Sequence, residues 1–339
     1  MPSATLTPEA ARSLVIEVFE KAGMPADLAE PAARALVAAE QDGLASHGLA
    51  RVPFYAAQMR TGKVVPAARP TVERDGAVIR VDALHGLAFA AIEAAAAAAR
   101  EVVREQGVAV VAIGHSHHFG VAAQAVEPFA RTGLIALAMA NSPAAMAPWG
   151  GKRALYGTNP IAFAAPRADR EDPLVIDLSL SRVARGKVML AQKANKPIPE
   201  GWALDAAGNP TTDAAAAMAG SMVPMGGAKG AALALMVELL TVGLTGSSYA
   251  YEASSLFDDK GPPPDLAHLI LVLDPARFAG DFATRAETMF KAIEAEEGAR
   301  LPGARRFAER ASRAERLEIA PDLLEALQTL AGRAPKSTA

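Results

Sequence analysis

Apolar residues recur at helical spacing through the first sixty positions, and further along they gather into short unbroken runs. Thr7 is placed to cap a first helix, with Pro8 at its first position and Gly23 as its stop. Leu28, Ala32, Leu36 and Ala39 mark a second helix over 25–42. Leu49, Val52, Pro53, Tyr55 and Met59 mark a third, which ends before Gly62. The segments 71–73 and 78–81 then read as a hairpin around Asp75-Gly76. Beyond it, helices and apolar strands take turns. Helices are expected at 90–104, 121–131, 183–193, 229–244 and 281–297, and strands at 108–113, 134–140, 161–165, 174–176 and 269–273. Apolar strands separated by helices predict an α/β fold whose sheet is covered on both faces. The run AAIEAAAAAARE reads as a closely packed helix, because Ala is the best helix former. The tail, 332–339, is expected to fray.

At about 100–200 residues per domain, 339 residues make room for two domains. The hairpin near 72 and the strand near 269 bracket a middle domain, 71–264. The helical ends, 1–70 and 265–339, would pack together as the second. Composition narrows the function. Thirty-four Lys and Arg against 37 Asp and Glu leave a net charge of −3, which is no footprint for nucleic acid or an anionic membrane. Aromatic residues make up only 5%, too few for base stacking to be the default, and the absence of Cys removes thiol chemistry and disulfides. The first twenty residues lack the basic and apolar regions of a signal peptide, and no 18-residue stretch is both apolar and free of charge. A cytoplasmic protein that neither spans a membrane nor binds nucleic acid is expected.

The usual nucleotide motifs are missing. No two of the 27 glycines are separated by a single residue, so GxGxxG cannot occur. Gly226-Gly227-Ala228-Lys229-Gly230 resembles a P-loop but has no hydroxyl after its Lys. GxSxG and HExxH are also absent.

Four constellations remain. Ser46-His47-Gly48 joins two helices, with Arg51 four positions after His47. An imidazole there suits acid–base work, and a guanidinium one turn on suits a carboxylate. The plainer alternative makes Ser46 a helix cap and His47 a surface or core residue. His115-Ser116-His117-His118-Phe119-Gly120 follows a buried strand, where open α/β sheets place ligands. Ligand contact is the stronger reading there, with a structural loop as the alternative; no metal is expected, because neighbouring histidines converge poorly on one ion and no carboxylate accompanies them. The long Gly/Pro-rich loop 141–160 carries Trp149 and Thr158-Asn159, suited to a heterocycle or ribose, though it could equally be a covering loop. Gly226–Gly230 at a helix start and Leu301–Arg306 are possible anion sites, each weak alone.

Together these segments resemble the malate/L-lactate dehydrogenase family, which lacks a Rossmann domain and includes sulfolactate, ureidoglycolate and diketogulonate oxidoreductases and cyclic-imine reductases. The resemblance runs in order through SHGLARVPFY (46–55), HSHHFG (115–120), APWGGKRALYGTNPIAFAAP (147–166), IDLSLSRVARGK (176–187), IPEGWALDAAGNPTTD (198–213), GGAKGAALALMVELL (226–240) and LPGARRF (301–307). It implies an α/β fold of the malate/L-sulfolactate dehydrogenase kind, with a helical substrate and dimer domain (1–70 with 265–339) and a mixed-sheet NAD(P)-binding domain (71–264). It also implies NAD or NADP as cofactor and a homodimer.

By the same resemblance, His47 is the acid/base, Ser46 orients it, and Arg51 and Thr158 bind substrate. His118, Phe119, Gly120, Val121, Ala122, Asp177, Leu178, Ser179, Lys229, Gly303, Ala304, Arg305 and Arg306 line the cofactor. Two positions depart from common family patterns. Ala228 stands where many members have His, and Lys187 where cyclic-imine reductases have an acidic residue completing a relay with the Ser-His pair. A Lys cannot polarise an imidazole as a carboxylate does, so the pattern favours a 2-hydroxy-acid dehydrogenase acting on malate, lactate or sulfolactate. A Δ1-pyrroline-2-carboxylate/Δ1-piperideine-2-carboxylate reductase is the alternative. A silent dinucleotide-binding protein is a third reading, against which the presence of both His47 and Arg51 counts.

Overall fold

The structure, a computed structural model, describes residues 4–168 and 172–333. Most of the tail expected to fray, 334–339, lies outside them. The chain opens with β1 (Ala4–Leu6), α1 (Pro8–Lys21) and α2 (Ala26–Gln41). The Thr7 hydroxyl accepts from the Ala10 N–H at 3.1 Å, and Gly23 ends α1 in the left-handed region at φ +94°. Two 3₁₀ turns, Ala45–His47 and Leu49–Arg51, lead into α3 (Val52–Thr61).

The hairpin β2 (Thr71–Asp75) and β3 (Val78–Asp82) is followed by α4 (Ala88–Gln106), β4 (Val108–Ser116), α5 (Ala123–Ala130), β5 (Ile135–Ala140), β6 (Ile161–Ala165) and β7 (Leu174–Leu178). Helix α6 (Arg185–Lys193) comes next, then a small excursion built from β8 (Ala203–Leu204), β9 (Pro210–Thr211), α7 (Ala214–Ala219) and β10 (Ser221–Met222). The chain closes with α8 (Ala228–Thr245), β11 (Leu266–Leu273), α9 (Phe282–Glu294), α10 (Ala304–Ser312), β12 (Leu317–Ile319) and α11 (Pro321–Leu330).

A seven-stranded mixed sheet, ordered β2-β3-β4-β11-β5-β6-β7, forms the centre. Only β3 and β4 are parallel; every other neighbouring pair is antiparallel. Alternation along β5 separates two cores. Ala136, Ala138 and Ala140 join the core under α4 and α5, whereas Met139 joins a second core with Ala234 and Val237 of α8. The sheet is therefore covered on both faces. A third core gathers α1, α2 and α3 with Leu317 and Ile319 of β12 and Leu327 of α11, so the two ends of the chain meet. β1 pairs with β12 in the same region.

One expected boundary needs correction. Strand β11 lies beyond residue 265, yet it runs down the middle of the sheet between β4 and β5. Strands β4 and β5 do not pair with each other, and only β11 supplies the backbone partners that their facing edges require. Helix α8 is long and apolar enough to cross a membrane by length and composition alone, but it packs against β4, β5 and β11 and buries a carboxylate, Glu238.

Candidate active site

The short turns between α2 and α3 bring Ser46, His47 and Arg51 together. Ser46 caps no helix; its hydroxyl lies 3.0 Å from His47 Nδ1. Arg51 turns back, and its Nε donates to the Ser46 carbonyl at 2.8 Å while the guanidinium lies 4.8 Å from the Phe257 ring centroid. Its Nη1 is buried with no hydrogen-bond partner. A buried guanidinium nitrogen without an acceptor is costly unless a ligand supplies one, and a carboxylate fits its fork. Gly48 is required beneath this turn. A Cβ there would lie 2.6 Å from Glu40 Oε1, which itself accepts from the Leu49 N–H at 2.8 Å.

The end of β4 supplies the second wall. The three histidines of HSHH go separate ways, because His115 sits at φ +47° and β4 ends at Ser116, before His117 and His118. His115 faces Asp82 at 3.1 Å, and His117 is fully buried with neither ring nitrogen bonded. His118 accepts or donates through Nδ1 to the Tyr55 hydroxyl at 2.6 Å, and its ring centroid stands 5.4 Å from that of His47. Among the described residues no group of three His, Asp or Glu side chains is arranged to hold a metal.

Burial first and then the Arg51 charge lower the His47 pKa, Asp177 opposes both, and the net value is about 4. His118 is held well below its usual value, first by burial and then by Arg51 and His47. The resting imidazoles are therefore neutral, and His47 rests as a base. The charges acting on His47 come from Arg51 and Asp177, whereas Lys187 is exposed on α6.

Asp177, at the end of β7, ties the remaining parts together. Its Oδ2 accepts from the Ala123 N–H at 3.1 Å, at the start of α5, and from Arg306 Nη2 at 2.9 Å. The end of the His118–Ala122 loop is thus tied to Asp177. Phe119 stacks on His268 with centroids 4.5 Å apart, and Gly120, at φ +75°, leaves no room for a Cβ against Phe89. Gly303, at φ +89°, rests on the Val175 carbonyl, where a Cβ would lie at 2.7 Å. Arg306 therefore reaches Asp177, while Ala304 and Arg305 face outward. Thr158 joins the same wall: its carbonyl accepts from the Leu180 N–H at 2.8 Å and from Ser179 Oγ at 3.3 Å. Lys229 stands apart, exposed on the first turn of α8. Gly226 and Gly227, both at positive φ, open that turn, and the Met225 N–H donates to the Leu180 carbonyl at 2.8 Å. Trp149 lies over Gly227, 65% exposed.

Comparison with known proteins gives this arrangement its family. A profile described as malate/L-lactate dehydrogenase matches residues 6–328. The chain belongs to the malate/L-lactate dehydrogenase family. It is similar to the (2R)-3-sulfolactate dehydrogenase (NADP(+)) of Chromohalobacter salexigens, with 59% identity over 321 residues, covering 95% of this chain and 96% of that one. It is 40% identical over 335 residues to the Δ1-pyrroline-2-carboxylate/Δ1-piperideine-2-carboxylate reductase of Pseudomonas syringae pv. tomato, covering 98% and 97% of the two chains. The crystal structure of Δ1-piperideine-2-carboxylate reductase from P. syringae pv. tomato superposes with a TM-score of 0.91 at 38% identity, covering 97% of this chain and all of that one. The α/β fold, with its mixed sheet, is the family's.

Several residues of this family member escaped the reading of its sequence. Tyr55 follows His47 and Arg51 by further steps of four, a spacing that carried the signal. Phe257 under Arg51, His268 under Phe119, and Glu238 beside Asn159 had no local signal, since sequence distances of 79 to 206 residues separate them from what they touch.

Proposed function

We propose that this chain interconverts a small 2-hydroxy acid and its 2-oxo acid, with sulfolactate preferred over malate and lactate and with His47 as the acid/base. Like its relatives, it is an NAD(P)-dependent oxidoreductase. The reading rests on one observation above all: the buried, unpartnered Nη1 of Arg51 beside a neutral His47. The 59% identity to a sulfolactate dehydrogenase supports the choice of substrate.

The residues present fit a dinucleotide. Nothing lies within 4 Å of where a Cβ at Gly226 would stand, and the start of α8 offers N–H groups with no side-chain cap and Lys229 beside them. The bound nicotinamide supplies or accepts a hydride at C2. Arg51 binds the C1 carboxylate and so fixes C2 and its oxygen relative to His47. In oxidation, neutral His47 takes the proton from the C2 hydroxyl; in reduction, its protonated form returns one. Asp177 offsets part of the cost of that protonated form. Tyr55 fixes His118, and Ser46 fixes the His47 tautomer through Nδ1. Thr158 faces the substrate or the nicotinamide.

A second copy of the chain covers the apolar stripe that α8 turns outward, where Leu235, Met236, Leu239 and Leu244 are 40–60% exposed. A second reading, cyclic-imine reduction, is favoured by the 40% identity to a reductase of that kind; the same Arg51 would hold the ring carboxylate and His47 would protonate the imine nitrogen. The deciding experiment follows NADH and NADPH consumption with 3-sulfopyruvate, oxaloacetate and pyruvate beside the two cyclic imines. Turnover on the oxo acids, highest with 3-sulfopyruvate, is expected, and turnover confined to the imines would replace this reading with the second.

A further inference from the structure

Helix α8 is apolar through its middle apart from one ionisable side chain, Glu238, which is only 2% exposed. Its Oε1 accepts from Asn159 Nδ2 at 2.8 Å and from the Gly157 N–H at 3.4 Å, and its Oε2 accepts from the Ala250 N–H at 3.2 Å. Asn141 joins the same set. Burial pushes the Glu238 carboxyl up, and these N–H donors hold it down, Asn159 first. No cation is among these partners. A carboxylate buried in this way is expensive, and a Leu would suit the helix better, unless the donors need it.

Two of these donors, both on Oε1, are neighbours in the chain. Gly157 and Asn159 flank Thr158 on both sides. Neither position tolerates an ordinary replacement: a Cβ at Gly157 would lie 2.1 Å from the Ser142 carbonyl oxygen, and Asn159 sits at φ +38°. Asn159 Nδ2 also donates to the Ala234 carbonyl of α8 at 3.1 Å, so the turn is fastened to the helix through two acceptors. Between these fixed points the Thr158 N–H donates to Ser142 Oγ at 2.9 Å, and its carbonyl is taken by Leu180. The backbone of Thr158 is thereby fixed on both sides, and its hydroxyl is 3.2 Å from Ser142 Oγ.

We propose that Glu238 is a positioning residue for the reaction: from α8 it holds the 157–159 turn so that Thr158 meets the substrate at the correct height. The proposal rests on the reading of Thr158 as a substrate contact. Glu238 itself touches neither substrate nor cofactor. Replacing one of its oxygens by an NH₂ group sets donor against donor, so Glu238→Gln loosens the turn while leaving the volume of the helix unchanged.

The experiment compares Glu238→Gln, Asn159→Gly and Thr158→Val with the parent protein. It measures KM and kcat for 3-sulfopyruvate, NADPH affinity by tryptophan quenching, and the thermal midpoint. Glu238→Gln is expected to raise KM about tenfold, which corresponds to about 1.4 kcal/mol, with NADPH affinity within twofold of the parent. Asn159→Gly keeps the left-handed backbone and removes only the amide, so it should raise KM in the same direction even if Glu238→Gln folds poorly. The double variant should show no more than the larger single effect, because both changes cut one connection. A lowered thermal midpoint with KM unchanged would reduce Glu238 to a structural role and overturn the proposal, as would KM effects that multiply in the double variant. If Thr158→Val leaves KM unchanged, the reading of Thr158 fails; if it raises KM and Glu238→Gln does not, only the role of Glu238 fails.

Discussion

Acid should unfold this protein through the histidines packed behind its active site. His117 and His268 are 1% and 0% exposed, and burial lowers each pKa to about 3. In the unfolded chain both titrate near their unperturbed value, about 6.5. Below that pH the unfolded chain takes up protons that the native protein refuses. The stability these groups contribute is thus fully present above about 6.5, is lost progressively as pH falls, and stops falling near 3. At about 1.36 kcal/mol per pH unit, lowering the pH to 5 costs about 2 kcal/mol for each histidine. The pair together removes about 4 kcal/mol, a large share of an ordinary folding free energy of about 5–15 kcal/mol. His268→Gln isolates one group, since an amide can still meet Ser116 Oγ, which lies 2.9 Å from His268 Nε2. Urea unfolding followed by tryptophan fluorescence at pH 7.5 and pH 5 gives the loss directly. The acid-induced loss should shrink by about 2 kcal/mol in the variant. An equal loss in both proteins would refute the argument.

Three further outcomes are expected. His47→Ala should lower kcat by about 10²–10⁴ while leaving NADPH affinity near that of the parent, as fluorescence titration would report. With the His47 pKa at about 4, kcat/KM for oxidation should stay level from pH 9 down to about 5 and then fall, whereas kcat/KM for reduction should rise steadily with acid over that range; a limb near 6.5 in either direction contradicts the burial of His47. Arg51→Ala should raise KM for carboxylate substrates by about 10²-fold or more, as loss of a charge-assisted bidentate contact requires, and Arg51→Lys should recover only part of it.

Periodicity made most of the fold legible, because helices such as α2 and α4 present one apolar face and strands such as β5 present two. It failed where elements are too short or too polar to show a period. Strands β8, β9 and β10 have two residues each, and α10 buries none of its side chains. Its attachment is ionic instead: Arg310 reaches Asp42 and Glu127, and Arg306 reaches Asp177. The residues 301–306 therefore read as a cationic turn, and the helix that follows was missed. The position of β11 was equally hidden, since nothing in LILVL tells which two strands it separates. At the site, His47 and Arg51 were legible from a step of four. Glu238 was not singled out, because the turn it holds lies some eighty residues away.

The insertion of β11 between β4 and β5 governs how the chain can be made. Both flanking strands are complete by residue 140, but the strand that joins them ends at residue 273. During synthesis, roughly 130 residues must leave the ribosome while two apolar strands wait with unpaired edges. At about 5–20 residues per second, that interval lasts about 6–25 seconds, long enough for such edges to find the wrong partner. A fragment ending before residue 266 should be recovered as aggregate, however well its first two hundred residues are formed.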